Sequence, residues 1–173
     1  AQACDCSVIL NEQQALDLYN AGYRCVGRYL TGTVGTDFRP KALTVAEIER
    51  VTSAGLYIFP IYQEGGYYLN YFKNPSQGST DAIIAIQAAT RLGFLHETTI
   101  YFAVDFDCLP HETDDYIIKY FQEIYGVFSS TLNEKQYKIG VYGPRQICIA
   151  LADKMLTTSS FVSDMSSGFT GNC

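Results

Sequence analysis

No basic run occurs anywhere in the 173-residue chain, and twelve lysines and arginines face eighteen aspartates and glutamates. With a net charge of −6 and a pI near 4.8, the chain lacks the clustered positive charge that phosphate backbones require, so nucleic acid is not expected as a partner. No apolar stretch approaches the roughly 20 residues that cross a bilayer, so no membrane span is expected. The first residues show neither a charged start nor an apolar targeting segment, and any signal peptide is expected to have been removed. Histidine is scarce: His96 and His111 form no His-x-x-x-His pair, and no Cys-x-x-Cys pair accompanies them. A zinc centre and a thioredoxin-type centre are therefore not expected. The spacing Gly27-x-x-x-x-Gly32 resembles a phosphate loop, but Thr33 stands where lysine is required, so no nucleotide or other cofactor is expected. The glycosylation-like triplet Asn74-Pro75-Ser76 is blocked by its proline.

What is present suits one globular domain. Hydrophobic residues make up 47% of the chain and charged ones 17%, enough apolar material for a core. The six cysteines, Cys4, Cys6, Cys25, Cys108, Cys148 and Cys173, form an even, scattered set. Without a metal motif they read as disulfides, which places the protein in an oxidising compartment, secreted or at the cell surface. Sequence alone leaves their pairing open.

Strand-like and helix-like segments alternate. Asn11 precedes a helical pattern that closes at Gly22, and a strand follows over 24–30. Thr44 to Glu47 has the form of a capping box, with Val45, Ile48 and Val51 as a buried stripe before Gly55. Leu56 to Tyr62 reads as a parallel strand covered on both faces. Helices are expected over 81–92, 112–128 and from Pro144, with strands over 3–7, 99–104, 137–142 and 160–163. The class is α/β with a parallel sheet. It is either a (β/α) TIM-type barrel with six of eight βα units or an open doubly wound sheet.

In either architecture the functional face lies beyond the carboxyl ends of the strands. The polar residues expected there are Asp5, Gln63, Glu64, Asp105, Asp107, Tyr142 and Asp164, with Arg28 inside the second strand. Asp105 and Asp107 are two apart, so strand alternation would set them on one face, roughly 6–7 Å apart. Like charges at that spacing split their proton affinities, as general acid catalysis of glycoside cleavage requires. Tyr67, Tyr68 and Tyr71 could stack on sugar rings, whereas Tyr57 is expected to fill the barrel wall.

The segments Gly27-Arg-Tyr-Leu, Tyr57-Ile-Phe-Pro-Ile-Tyr-Gln, Thr99-Ile-Tyr-Phe-Ala-Val-Asp-Phe-Asp, Ile139-Gly-Val-Tyr-Gly and Ser163-Asp-Met-Ser-Ser-Gly-Phe-Thr-Gly-Asn carry a resemblance over almost the whole chain. It is to the glycoside-hydrolase-like domain of secreted bacterial and fungal proteins, similar in fold to the family 25 lysozymes. That resemblance implies a barrel cleaving peptidoglycan with acidic residues on the first, fourth and sixth strands. Asp5 resembles the first-strand aspartate, Asp105 the first acid of the fourth-strand Asp-x-Glu motif, and Asp164 a sixth-strand site residue. Asp107 occupies the place of the glutamate, which retracts the acid by one methylene.

The expectation is thus a secreted, single-domain barrel over residues 1–173 that binds, and as an enzyme would hydrolyse, a cell-wall or extracellular glycan. Asp107 would be the acid and Asp105 the second carboxylate, with Asp5 beside them. Arg28, Gln63, Glu64, Tyr142 and Asp164 would contact substrate. The alternative is a non-catalytic surface protein for glycan adhesion or self-assembly. Two further strands are expected beyond Cys173, or else self-association or a partner that completes the barrel.

Overall fold

Local signals set the first boundaries in the computed structural model, which describes residues 2–163. Strand β1 (Gln2–Asp5) leads to α1 (Glu12–Asn20) and β2 (Tyr23–Tyr29). Asn11 caps α1 reciprocally: its side-chain oxygen accepts from Gln14 N–H at 2.8 Å, and its own N–H donates to the Gln14 side chain at 2.9 Å. A hairpin of β3 (Thr33–Val34) and β4 (Arg39–Pro40), unforeseen in the loop after β2, comes before α2 (Val45–Ser53). Only half of the expected capping box forms there. Thr44 accepts from Glu47 N–H at 3.2 Å, but the Glu47 carboxylate turns inward and accepts from Leu10 N–H at 2.9 Å and from Arg28. Val45, expected in the buried stripe, is exposed.

Next come β5 (Tyr57–Tyr62), a short α3 (Leu69–Phe72) and the long α4 (Gln77–Leu92). Helix α4 starts four residues before the expected Asp81 because a distant residue caps it. The Glu123 carboxylate accepts from Ser76 N–H at 3.3 Å and Ser79 N–H at 3.2 Å, across a sequence gap that no local pattern reveals. Gly93, with φ of 84°, closes the helix in the left-handed conformation as expected. The chain continues through β6 (Thr99–Ala103), α5 (Pro110–Glu112), a π turn (Thr113–Ile117), α6 (Ile118–Phe128), β7 (Lys138–Gly143), α7 (Arg145–Asp153) and β8 (Ser159–Val162).

Six strands pair in parallel in the order β1-β2-β5-β6-β7-β8, which is their order along the chain. A doubly wound sheet reverses its order at a switch point, so that alternative is excluded. The sheet instead curls into a half-barrel. The rings of Phe59 on β5 and Phe161 on β8 lie 5.2 Å apart, whereas two intervening strands in a flat sheet would hold them roughly 14 Å apart. Tyr29, Ile61, Ala103 and Tyr142 line the concave face together with Phe59, Tyr101 and Phe161. The convex face packs against the helices in two clusters. One is built on β6, β7, α4, α6 and α7, the other on β1, β2, α1 and α2.

Two expectations are corrected here. No disulfide links the five described cysteines, and Cys173 lies outside the described residues. Cys4 and Cys6 pack into the α1–α2 cluster and Cys108 and Cys148 are buried in the larger one, so helix packing absorbs thiols that an even count suggested were bridged. Tyr57 is 75% exposed at the start of β5, before the strand enters the barrel wall. Among the described residues no helix is long and apolar enough to cross a membrane.

Candidate functional site

Parallel pairing in chain order brings the carboxyl ends of all six strands to one rim. At β1, Cys4 and Cys6 face the helices, so alternation sends Asp5 to the concave side. Tyr29 ends β2, Gln63 and Glu64 follow β5, Asp105 follows β6 and Tyr142 lies near the end of β7. The rim therefore gathers five residues expected from sequence: Asp5, Gln63, Glu64, Asp105 and Tyr142.

Asp105 is held by its backbone and by one carboxylate oxygen. Its N–H donates to Gly66 O at 2.6 Å, and Oδ2 accepts from Gln63 Nε2 at 3.4 Å. Oδ1 is buried and has no hydrogen-bond partner among the described residues. Such an oxygen carries a desolvation cost that an incoming donor can relieve. Asp5 faces solvent, yet the surrounding walls push its carboxyl above the usual range. Desolvation is the largest cause; hydrogen bonds from the Tyr142 and Tyr29 hydroxyls oppose it, and the nearby Asp105 adds to it. Burial and the Asp5 charge raise both phenols in turn, so they remain hydroxyl donors.

Lys41 joins the site unannounced by any motif. It is buried, donates from Nζ to Gln63 O at 2.7 Å and sits 4.4 Å from the centre of the Tyr29 ring. Burial lowers its pKa, while Glu64 and Asp105 oppose that shift. It stands just after β4, in the segment between β2 and α2. Glu64 in turn accepts from Thr31 Oγ1 at 2.5 Å. Three carboxylates around one ammonium leave the mouth acidic.

One expected residue is placed differently, one loses its alternation argument, and one lies outside the described residues. Arg28 does not reach the mouth: it is wholly buried under α2 and bonded to Glu47 through Nε (2.6 Å) and Nη2 (3.1 Å). Two further donors go to Cys6 O at 2.6 Å and Lys41 O at 2.9 Å. A charge inside the second strand needed a partner, and a helix supplied it rather than a substrate. Asp107 is exposed; β6 ends at Ala103, so alternation no longer sets it beside Asp105. Asp164 lies outside the described residues. Among the described residues no group of three or more His, Cys, Asp or Glu side chains is arranged to hold a metal.

A carboxyl biased toward keeping its proton beside a carboxylate with one oxygen unpartnered among the described residues is a pairing suited to proton transfer at an acetal oxygen or to binding sugar hydroxyls. Sequence comparison agrees in kind: residues 16–173 match the Rv2525c-like, glycoside hydrolase-like domain. The chain belongs to that family. YbfG of Bacillus subtilis (strain 168) is 51% identical over 177 residues, covering 99% of this chain and 24% of YbfG. FadG of the same organism is 42% identical over 170 residues, covering 98% of this chain and 29% of FadG. Both are uncharacterised, and the chain spans only about a quarter of their length. Among solved structures, the Tat-secreted protein Rv2525c of Mycobacterium tuberculosis superposes with a TM-score of 0.77 at 18% identity, over 96% of this chain and 81% of Rv2525c, in a complex with HEPES. Its L-tartrate complex gives 0.75 at 17% identity, over 96% and 80%. An uncharacterised B. stearothermophilus protein gives 0.65 at 19% identity, over 96% and 76%. At these identities the likeness is one of fold.

Proposed function

We propose that the chain is a single, extracellular glycoside-hydrolase-like domain whose acidic mouth binds a cell-wall or other extracellular glycan, peptidoglycan foremost, and hydrolyses a glycosidic bond there. The observation that carries this reading is the pairing of Asp5, raised by desolvation, with Asp105, whose Oδ1 has no hydrogen-bond partner among the described residues. Asp5 would donate the proton to the leaving oxygen, and Asp105 would stabilise the developing positive charge or activate water. The hydroxyls of Tyr29 and Tyr142 would orient Asp5, while Lys41, Gln63 and Glu64 would meet sugar hydroxyls. The Tat-secreted neighbour supports an extracellular setting.

Binding without turnover is favoured by a separate feature. Tyr67 and Tyr68 are 63% and 45% exposed just after Glu64, edge to face with centroids 4.9 Å apart, a surface suited to stacking on sugar rings. Asp107, standing where the resemblance expects glutamate, is not needed in that role. The outer edge of β1 is unpaired among the described strands, and self-association through it would present several such surfaces.

Incubation with purified bacterial sacculi separates the readings. Wild type should sediment with the walls and lower their turbidity, Asp5→Asn and Asp105→Asn should bind without clearing, and Asp107→Asn should still clear. Clearing that survives both Asp5→Asn and Asp105→Asn would sink the assignment. Binding without clearing by the wild type selects the adhesive reading.

A further inference from the structure

Away from the rim, Asp81 on α4 is 1% exposed, and no ion pair to it is found among the described residues. Four donors converge on its carboxylate. Oδ1 accepts from Tyr62 Oη at 3.0 Å and Gln77 Nε2 at 2.9 Å; Oδ2 accepts from Tyr71 Oη at 2.7 Å and Tyr120 Oη at 2.6 Å. This fills the acceptor sites of a group that only accepts. Desolvation first, and the Asp81 charge with it, raise all three phenols and keep them as donors. The hub joins the end of β5, α3, α4 and α6.

One spoke leads to the candidate site. With its hydroxyl bound to Asp81 and accepting from Gln77 at 3.2 Å, Tyr71 offers its ring as a shelf for Gly65. A Cβ on Gly65 would lie 2.3 Å from that ring. The next residue, Gly66, packs so closely on β6 that a Cβ would lie 2.3 Å from Ala103 O. Its own carbonyl receives Asp105 N–H at 2.6 Å. The same turn sets Gln63 against Asp105 Oδ2, and Tyr71 also supports the edge of Tyr68, centroid to centroid at 6.1 Å.

We propose that Asp81 is a positioning residue for the mouth. Through Tyr71 and the Gly65–Gly66 turn it fixes the height and direction of the Asp105 carboxylate, and so the surroundings of its two oxygens. The chemical importance of Asp105 rests on the function proposed above; the mechanical coupling does not.

The test is nuclear magnetic resonance on the wild type, Asp81→Asn, Tyr71→Phe and the control Tyr137→Phe, which removes a comparable tyrosine bond, 3.0 Å to Phe94 O, away from the mouth. The readouts are the Asp105 and Gly66 amide resonances and the titration of the Asp5 and Asp105 carboxyls. Asparagine keeps one acceptor oxygen and turns an N–H₂ toward the hydroxyls, so Asp81→Asn should move the Asp105 amide upfield and shift the Asp5 titration midpoint. Tyr71→Phe, which keeps the shelf and loses its anchor, should produce a smaller change of the same sign. Tyr137→Phe should lower the melting temperature and move neither. Should Asp81→Asn fail to fold, Tyr71→Phe and Tyr120→Phe decide. Variants that lose stability while the Asp105 and Gly66 resonances stay in place overturn the proposal. Sacculus binding should weaken roughly ten- to a hundredfold in Asp81→Asn, as expected for a displaced site group. A wild type that binds no walls, beside an Asp105 amide that moves, counts against the glycan reading and supports the coupling.

Discussion

Two clusters in this half-barrel use the same ingredients, aspartate and tyrosine, to opposite ends. Around Asp81, three tyrosines and a glutamine saturate a carboxylate sealed from water. At the rim, Tyr29 and Tyr142 meet an Asp5 that remains open to solvent, and beside it Asp105 keeps one oxygen unmatched among the described residues. Residue type does not separate them; the completeness of hydrogen bonding does. A filled acceptor set fixes helices in place, whereas an unfilled one retains free energy that a ligand can release. Arg28 and Glu47 fall on the closed side of this division and Lys41 on the open side, although sequence alone grouped Arg28 with the mouth.

The largest expected effect tests the closed side. Glu47→Ala strands a fully buried guanidinium and should cost about 3–5 kcal/mol in chemical denaturation. Replacing the pair with Arg28→Met and Glu47→Leu should restore only part of that, because Cys6 O and Lys41 O also lose their donor. Full recovery would place Arg28 outside the closed class. Next comes Asp81→Asn, for which about 3 kcal/mol is expected, since hydrogen bonds to a charged acceptor are lost and a donor is turned onto donors. A cost below about 0.5 kcal/mol would make the hub dispensable.

Much of the scaffold was legible in the sequence because the signals that set it are local. Asn11 and Gly93 each act within a few residues, and the apolar runs at β5, β6 and β7 report burial on two faces. Chain-order pairing then carried Asp5, Gln63, Glu64, Asp105 and Tyr142 to one rim. What escaped depends on contacts distant in sequence. Glu123 caps α4 from 44 and 47 residues away. Lys41 lies over Tyr29 because a two-strand hairpin folds its loop back, and no motif announces that geometry. The alternation argument for Asp107 fails for a different reason. Alternation was extended four residues beyond the end of β6, where the backbone no longer obeys it.

On the open side, Asp105→Asn should change stability by less than about 1 kcal/mol, because the substitution breaks no saturated network and removes a charge that Asp5 feels. The same variant should abolish wall clearing. A loss of stability as large as that of Asp81→Asn would show that Asp105 belongs to the framework, and the contrast between the clusters would fail.

The smallest effect is the most discriminating. Because the folded-state pKa of Asp5 is raised, its protonated form contributes stability that is fully present below the unfolded value of 3.8 and is lost as pH rises through the higher folded value. Asp5→Asn removes a group that pays this penalty. The variant should therefore match wild type near the acid end, gain on it as pH climbs through that window, and hold a constant margin above it. Solvent exposure keeps that margin small, so it is best read as a difference in melting temperature across a pH series. In an Asp105→Asn background the margin should shrink, since the neighbouring charge is one cause of the shift, but should persist, since desolvation is the larger cause. A margin that falls as pH rises would mean that the tyrosine hydroxyls outweigh desolvation, making Asp5 a held carboxylate like Asp81 and removing it as the proton donor.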